Sequence, residues 1–283
     1  MTKTHAPAAG AALTALGVAL IRARETRRPD RLYGDPLAAA FVDAARRDFT
    51  RTDEGAARWA RVESLAEAFF EGRSAGVRLA DDRVAEVVAD GVTQLVLLGA
   101  GLDTRAYRME LPADVVVFEL DLPELFAFKE PVLRAVAARP TARREVLPLD
   151  LRADWATLLR ERGFRPDLPT HWVDEGALPY LPVADHVRVL ETLSCLSAPG
   201  SRFGLSRFAV DPEAPHYAEL RRLVSGDAAA PGSRDDTARP GERWLIEHGW
   251  RTEFRAWDDL VAPLGRPVAV GDPQVGVVLA VRD

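Results

Sequence analysis

The stretch Leu95-Val-Leu-Leu-Gly-Ala-Gly-Leu-Asp-Thr-Arg105 runs from a short apolar segment into a turn built on Gly99, Ala100 and Gly101. Two glycines let a backbone turn tightly and approach a ligand with no Cβ in the way. Carboxylates then recur at intervals that match successive strand ends: Glu119 and Asp121 flanking Leu120, Asp150 before Leu151, and Glu175 before Gly176. A carboxylate at the end of a second strand can accept hydrogen bonds from both ribose hydroxyls of a nucleoside. Asp150 can accept from an adenine amino group while Leu151 packs on the ring. Each feature also has a plainer reading: a turn that needs glycine for its own geometry, a solvated strand end, or an N-cap for a helix beginning near Asp154. Glycine or carboxylate at four consecutive strand ends is nevertheless the pattern of a nucleoside site.

The kind of nucleoside is narrowed by the residue that is missing. A dinucleotide fingerprint continues to a third glycine so that a pyrophosphate can rest on a helix N-terminus. Here that position is Thr104, and Asp103 before it is an electrostatically poor neighbour for a pyrophosphate. A nucleoside carrying an amino-acid tail fits better, with Asp103 part of its loop.

The elements that must position these residues can be read from periodicity. Helices are predicted near 9–25, 36–48, 57–72 and 81–90, separated by Pro and Gly at positions such as Gly34, Pro36, Gly55, Gly72 and Gly76. After Gly91 the pattern changes to short apolar runs, Gln94–Leu98, Asp114–Leu120, Glu145–Leu149, His171–Asp174 and Arg202–Leu205, with helices near 123–138, 153–162 and 184–197 between them. Alternation of this kind implies right-handed crossovers and a sheet covered on both faces. Asp211–Pro240 is rich in proline and reads as a loop-rich, lid-like insertion with a short helix near 214–224. A helix at Gly241–His248 and strands at Thr252–Ala256 and Val275–Val281 complete the chain. The fold class is therefore α/β, a doubly wound, mostly parallel sheet with an N-terminal helical layer. We read 1–283 as one domain, with a helical cap over 1–90, a ligand-binding core over 91–207, the lid over 208–250 and closing strands over 251–283.

Composition bounds the partners. With 283 residues, 47% hydrophobic and 28% charged, the chain has the make-up of a globular protein. A net charge of -6 supplies no broad basic field for a phosphate backbone, so nucleic acid is not an expected partner. The single cysteine, Cys195, excludes a disulfide framework, and His5, His171, His186, His216 and His248 lack metal-ligand spacing, so no metal is expected. The apolar run from Ala6 to Ile21 is too short and too rich in alanine and glycine for a span, and reads as a packed helix of a cytoplasmic protein with no membrane partner.

Taken together, Leu98-Gly-Ala-Gly-Leu-Asp-Thr-Arg-Ala-Tyr-Arg108, Val117-Phe-Glu-Leu-Asp-Leu-Pro123 and Ala23-Arg-Glu-Thr-Arg-Arg-Pro-Asp-Arg-Leu-Tyr-Gly-Asp-Pro-Leu37 resemble the leucine carboxyl methyltransferase-like family, in its bacterial small-molecule branch. The resemblance covers roughly residues 11–207. It implies a Rossmann-like fold of the class I methyltransferase type, S-adenosyl-L-methionine as cofactor, and methyl transfer to an oxygen of a small molecule or peptide. It further implies that Gly99 contacts the methionine part of the cofactor, Asp121 the ribose, Asp150 and Leu151 the adenine, and Glu175 the methionine amino group. Arg24, before the Asp35-Pro36 pair, falls where the family places a basic residue beside cofactor and substrate, and Tyr180 matches a tyrosine that follows the fourth strand. The arginine for the cofactor carboxylate departs from the family's pattern: Gly76-Val77-Arg78 stands before Asp81-Asp82, which favours Arg78 and leaves Arg73 as the alternative.

A carboxylate acceptor is already ionised at neutral pH, so such an enzyme need only desolvate it and hold an oxygen roughly 3 Å from the methyl carbon. Arg24 and Tyr180 are the candidates to hold it. A phenol or hydroxyl acceptor needs a base, for which His216 is the best placed residue. Trp244, Trp250 and Trp257 are candidates for a substrate pocket, although aromatics near a C-terminal sheet are more often core. The rival functions are a dinucleotide-dependent oxidoreductase and a non-catalytic S-adenosylmethionine-binding protein. The expected assembly is a monomer or homodimer.

Overall fold

A computed structural model gives the architecture and describes residues 6–7, 11–207, 216, 218–220, 222 and 238–283. Four helices come first: α1 (Ala11–Thr26), α2 (Ala38–Phe49), α3 (Asp53–Ala68) and α4 (Phe70–Ala89). The break expected between 72 and 81 is absent. Gly72 and Gly76 lie inside α4, and the chain instead turns at Phe69, between α3 and α4. A helical glycine costs only about 0.5–1 kcal/mol relative to alanine, and burial of Ser74, Ala75 and Val77 on one face of α4 outweighs it. The start of α2 is set by Asp35, whose Oδ1 accepts from the N–H groups of Leu37 (3.2 Å) and Ala38 (3.1 Å).

The sheet begins at β1 (Gln94–Leu98), all of whose residues are buried. Its side chains alternate between two cores: Leu95 and Leu97 join Val84 of α4, whereas Val96 and Leu98 join the large cluster on the other face. That two-sided burial explains why the run is continuously apolar rather than alternating. There follow α5 (Arg105–Arg108), β2 (Val116–Asp121), α6 (Pro123–Ala135), β3 (Arg143–Pro148), α7 (Trp155–Glu161), β4 (Thr170–Asp174), a 3-10 turn over Leu178–Tyr180, α8 (Val183–Cys195) and β5 (Arg202–Arg207). The C-terminal part adds α9 (Ala238–Glu247), β6 (Trp250–Ala256), α10 (Trp257–Val261) and β7 (Gly276–Arg282). Of the helix expected near 214–224, residues 216, 218–220 and 222 are described and are helical, whereas most of the lid at 208–250 lies outside the described residues.

The strands form one sheet in the order β3-β2-β1-β4-β5-β7-β6, parallel from β3 to β5, with β7 antiparallel to both β5 and β6. The fold is thus α/β with a mostly parallel sheet. Its register matters for function: Leu98 lies opposite Leu120 on one side and Asp174 on the other, and Asp121 opposite Pro148. The loops after β1, β2, β3 and β4 therefore leave the sheet along one edge, the edge at which open α/β sheets bind ligands. The N-terminal helices build their own core with α6, through Leu13, Leu16, Phe41, Trp59, Leu125 and Phe128. No helix among the described residues is long and apolar enough to cross a membrane.

Candidate active site

The carboxyl edge of the sheet opens into a cavity of about 340 Å³, walled on one side by the loops after β1 to β4 and on the other by Ala12, Ala15 and Val18 of α1. Gly99, Ala100, Gly101 and Asp103 line it, with Asp121, Asp150, Leu151, Glu175, Gly176 and Tyr180. The loop glycines have positive φ, 65° at Gly99 and 53° at Gly101. A Cβ on Gly99 would stand 2.3 Å from the Ala177 Cβ. Gly99 is thus required by the approach of the loop after β4, a reason different from ligand access. Asp121 secures the same loop: its Oδ2 accepts from the Gly101 N–H at 2.6 Å and its Oδ1 from the Leu122 N–H at 2.6 Å. Burial pushes the Asp121 carboxyl up, against these two backbone donors.

Glu175 is gripped by two arginines. Arg105 Nη1 forms an ion pair with its Oε1, and Arg73 Nη2 donates to its backbone carbonyl (2.8 Å) while standing 3.7 Å from Oε2. Arg105 also pairs with Asp103, and burial, which alone would raise the Asp103 carboxyl, is overruled by the charges of Arg105, Arg22 and Arg108, which hold it at about 2. Beneath Glu175, Asp174 Oδ1 accepts from the N–H groups of Gly176, Ala177 and Leu178, shaping the turn that presents Glu175 and Tyr180. At the far end of the cavity Asp150 is bound by Arg152, whose hydrogen bond draws its carboxyl down.

Other sequence-predicted residues fall elsewhere. Arg24 points away from the cavity and pairs with Glu67 at 2.7 Å on the exposed side of α1. Arg22 lines the cavity in its place and donates to the Leu102 carbonyl at 2.6 Å. Two residues along a helix is about 200° of rotation, so the two arginines cannot share a wall. Five residues, about 140° around α4, likewise separate Arg78, which pairs with Asp82 and donates to Leu32 O, from Arg73, which lines the cavity. Glu119 is fully buried below the cavity floor, where Lys129 Nζ (2.6 Å) and Arg144 (2.8 and 2.7 Å) engage it. Leu120 is buried in the core, and only its carbonyl reaches the loop, accepting from the Ala100 N–H. Trp250 and Trp257 are core residues bonded to Ser194 Oγ and Val268 O, and Trp244 stacks on His248, so none of the three lines the cavity.

Comparison with known proteins converges on one family. The sequence model of leucine carboxyl methyltransferase matches residues 15–194. The chain belongs to the leucine carboxyl methyltransferase family. It is 38% identical over 281 residues to a "Putative S-adenosyl-L-methionine-dependent methyltransferase" of Saccharopolyspora erythraea, covering 97% of this chain and 96% of that one. A protein of the same description from Frankia alni is 37% identical over 284 residues, covering 97% and 95%. Its fold is similar to that of a duf574 family protein from Streptomyces avermitilis, with a TM-score of 0.55 at 14% identity over 95% of this chain and 97% of that chain. The protein is accordingly an S-adenosylmethionine-dependent methyltransferase of class I architecture. The dinucleotide reading falls with that membership.

The cavity fits this family's cofactor on its own chemistry. Arg73 Nε is buried, has no hydrogen-bond partner and belongs to a cavity-lining side chain, so it is a donor suited to a carboxylate. Glu175 beside it is a carboxylate that could take an ammonium, and Asp121 and Asp150, which line the same cavity, are the carboxylates that could take ribose hydroxyls and a base.

Sequence reasoning missed Arg22, Arg105 and Arg152 as lining residues. Arg105 was visible inside the loop motif, but a cationic side chain four residues beyond the last glycine of a turn has no signature of burial. The role of the Asp35-Pro36 pair was also hidden: the buried Asp35 carboxylate accepts from Thr104 Oγ1 at 2.7 Å, which ties the N-terminal layer to the glycine loop after β1.

Proposed function

We propose that the protein transfers a methyl group to a carboxylate of a small molecule or peptide, by proximity and orientation rather than by base catalysis. The observation that carries this reading is the lining of the cavity: among the described residues it holds Arg22, Arg73, Arg105 and Arg152 but no histidine. Its acids are already engaged, Asp103 by Arg105, Asp121 by two backbone N–H groups, Asp150 by Arg152 and Glu175 by Arg105. A site without a free base suits an acceptor that arrives ionised. The family's description, which names a carboxyl acceptor, supports the same choice.

The bound cofactor supplies an electrophilic sulfonium methyl. Arg73 and Glu175 hold the two charges of its amino-acid tail, Asp121 its ribose hydroxyls and Asp150 with Leu151 its base, while the Gly99–Gly101 turn and α1 exclude water. Arg22, whose Nε stands 3.4 Å from the buried Asp35 carboxylate, and Tyr180 orient the acceptor carboxylate. The methyl needs no proton removed from such an acceptor, so alignment and desolvation are the whole task of these side chains.

A second reading, a hydroxyl acceptor with His216 as base, has one observation in its favour. The His216 ring packs edge-on against Phe69 at 5.2 Å, and Phe69 lies one helical turn before Arg73. Incubation with methyl-labelled S-adenosylmethionine and host extract separates the two. The carboxyl reading expects label released by mild base and turnover retained in His216→Ala; base-stable label lost in that variant would replace it with the hydroxyl reading.

A further inference from the structure

Arg105 has a place in the molecule that the methyl-transfer chemistry does not by itself require. Its side chain is 2% exposed, yet it meets carboxylates from three separate parts of the fold. Nε lies 2.8 Å from Asp81 Oδ1 of α4, Nη1 lies 2.5 Å from Asp103 Oδ2 of the glycine loop, and Nη1 also reaches Glu175 Oε1 of the loop after β4. Asp81 is itself held from the other side by Arg108, at 2.6 and 2.8 Å. Asp103 is fixed by a second bond, its Oδ1 accepting from the Arg105 N–H at 2.6 Å. Glu175 is the most exposed of the three, at 22% of its side chain against 10% for each of the others.

We propose that Arg105 is a positioning residue for the cofactor's amino-acid tail, acting through Glu175: the braced guanidinium fixes the Glu175 carboxylate in the orientation that receives the tail ammonium. This rests on the cofactor reading of the cavity given above. Asp81 and Asp103 prevent the guanidinium from following Glu175, so the carboxylate is the part that conforms. A forked guanidinium can meet several acceptors in fixed directions at once, which a lysine ammonium on a flexible stem cannot. The charges agree with the tail's chemistry. Asp81, Asp103 and Glu175 stand against Arg73, Arg105 and Arg108, a cluster without net charge that suits a zwitterion better than an ion of either sign. Arg73 serves the opposite charge, because its guanidinium already donates to the Glu175 carbonyl while its buried Nε has no partner.

The test compares two ligands that share an adenosine, S-adenosylhomocysteine with the tail and 5′-methylthioadenosine without it, by calorimetry on the full chain. Arg105→Lys should weaken S-adenosylhomocysteine about tenfold or more, the scale of a charge-assisted hydrogen bond, and leave methylthioadenosine within about twofold. Glu175→Gln should show the same tail-selective loss. Equal weakening of both ligands by Arg105→Lys, or no weakening, overturns the proposal and reduces Arg105 to a structural ion pair. If Glu175→Gln is tail-selective and Arg105→Lys is not, only this inference falls; if Glu175→Gln lacks tail selectivity, the cofactor reading falls with it. Should Arg105→Lys fail to fold by circular dichroism, Asp81→Asn carries the test, since Asp81 touches Arg105 outside the cavity. It should give the same selectivity at smaller size, and an unchanged ligand ratio in that variant rejects the proposal.

Discussion

Glu119 and Asp121 stand two residues apart on one face of β2, and they do different work. Glu119 is fully buried and shares its oxygens with Lys129 and Arg144, with Glu130 completing the cluster. Asp121 lies at the strand's end, where it lines the cavity and accepts from the Gly101 N–H of the glycine loop. The pattern repeats on β4: His171 near its start is buried, whereas Glu175 just past its end lines the cavity. Depth along the strand, more than residue type or face, decides whether a charged side chain reaches the cavity or a structural partner in the core.

The largest test of that contrast is Glu119→Gln. It should leave the Lys129 ammonium buried against a neutral amide, and removing one partner of a buried pair costs about 3–5 kcal/mol. Urea denaturation should show that loss while the affinity of the folded fraction for S-adenosylhomocysteine stays near wild type. A variant of normal stability and weak affinity would put Glu119 at the ligand after all.

Next comes His171. Burial, followed by the charge of Arg83, pushes its imidazole down to about 3 from 6.5. Below pH 6.5 the unfolded chain binds a proton there that the folded chain refuses, so stability falls with decreasing pH over the window from about 6.5 to about 3, on the order of 2–4 kcal/mol. In His171→Phe the pH dependence across that window should flatten; an unaltered slope would show that another group is responsible.

Asp121→Ala, by contrast, should weaken S-adenosylhomocysteine by about 1.5–3 kcal/mol, the scale of hydrogen bonds to a charged group, with a smaller change in unfolding midpoint. If stability collapses and affinity in the folded fraction is retained, the role of Asp121 is to brace the Gly101 loop alone. The smallest effects separate neighbouring arginines: Arg78→Ala removes a half-exposed pair with Asp82 and should change stability by about 0–1 kcal/mol and affinity not at all, whereas Arg73→Ala should lower affinity for S-adenosylhomocysteine measurably. Equal affinities for the two variants would erase the distinction.

Much of the sheet was legible because its strands are buried on both faces, which makes β1 an almost continuous apolar run and leaves apolar stretches in β2 and β4 around the buried Glu119 and His171. Helix boundaries were less so, as at Gly72 and Gly76, where packing overrode a weak local preference. Strand-end residues such as Asp121, Asp150 and Glu175 could be picked out because a strand end is marked in sequence by where the apolar run stops. Arg22 and Arg105 could not, and Arg73 could be named only as an alternative to Arg78, since helix phase and long-range contact choose among arginines that composition makes interchangeable.

By itself, then, the sequence determined the α/β class, the glycine loop, the family and the cofactor it implies, all of which depend on local patterns a few residues long. Only the tertiary structure decided that Arg22 and Arg73, and not Arg24 and Arg78, face the cavity, that Glu119 is a buried anchor, and that Gly99 makes room for Ala177. Those outcomes are set by distances between segments far apart in the chain, where one residue of helix phase or strand depth turns a side chain from solvent or core into the site.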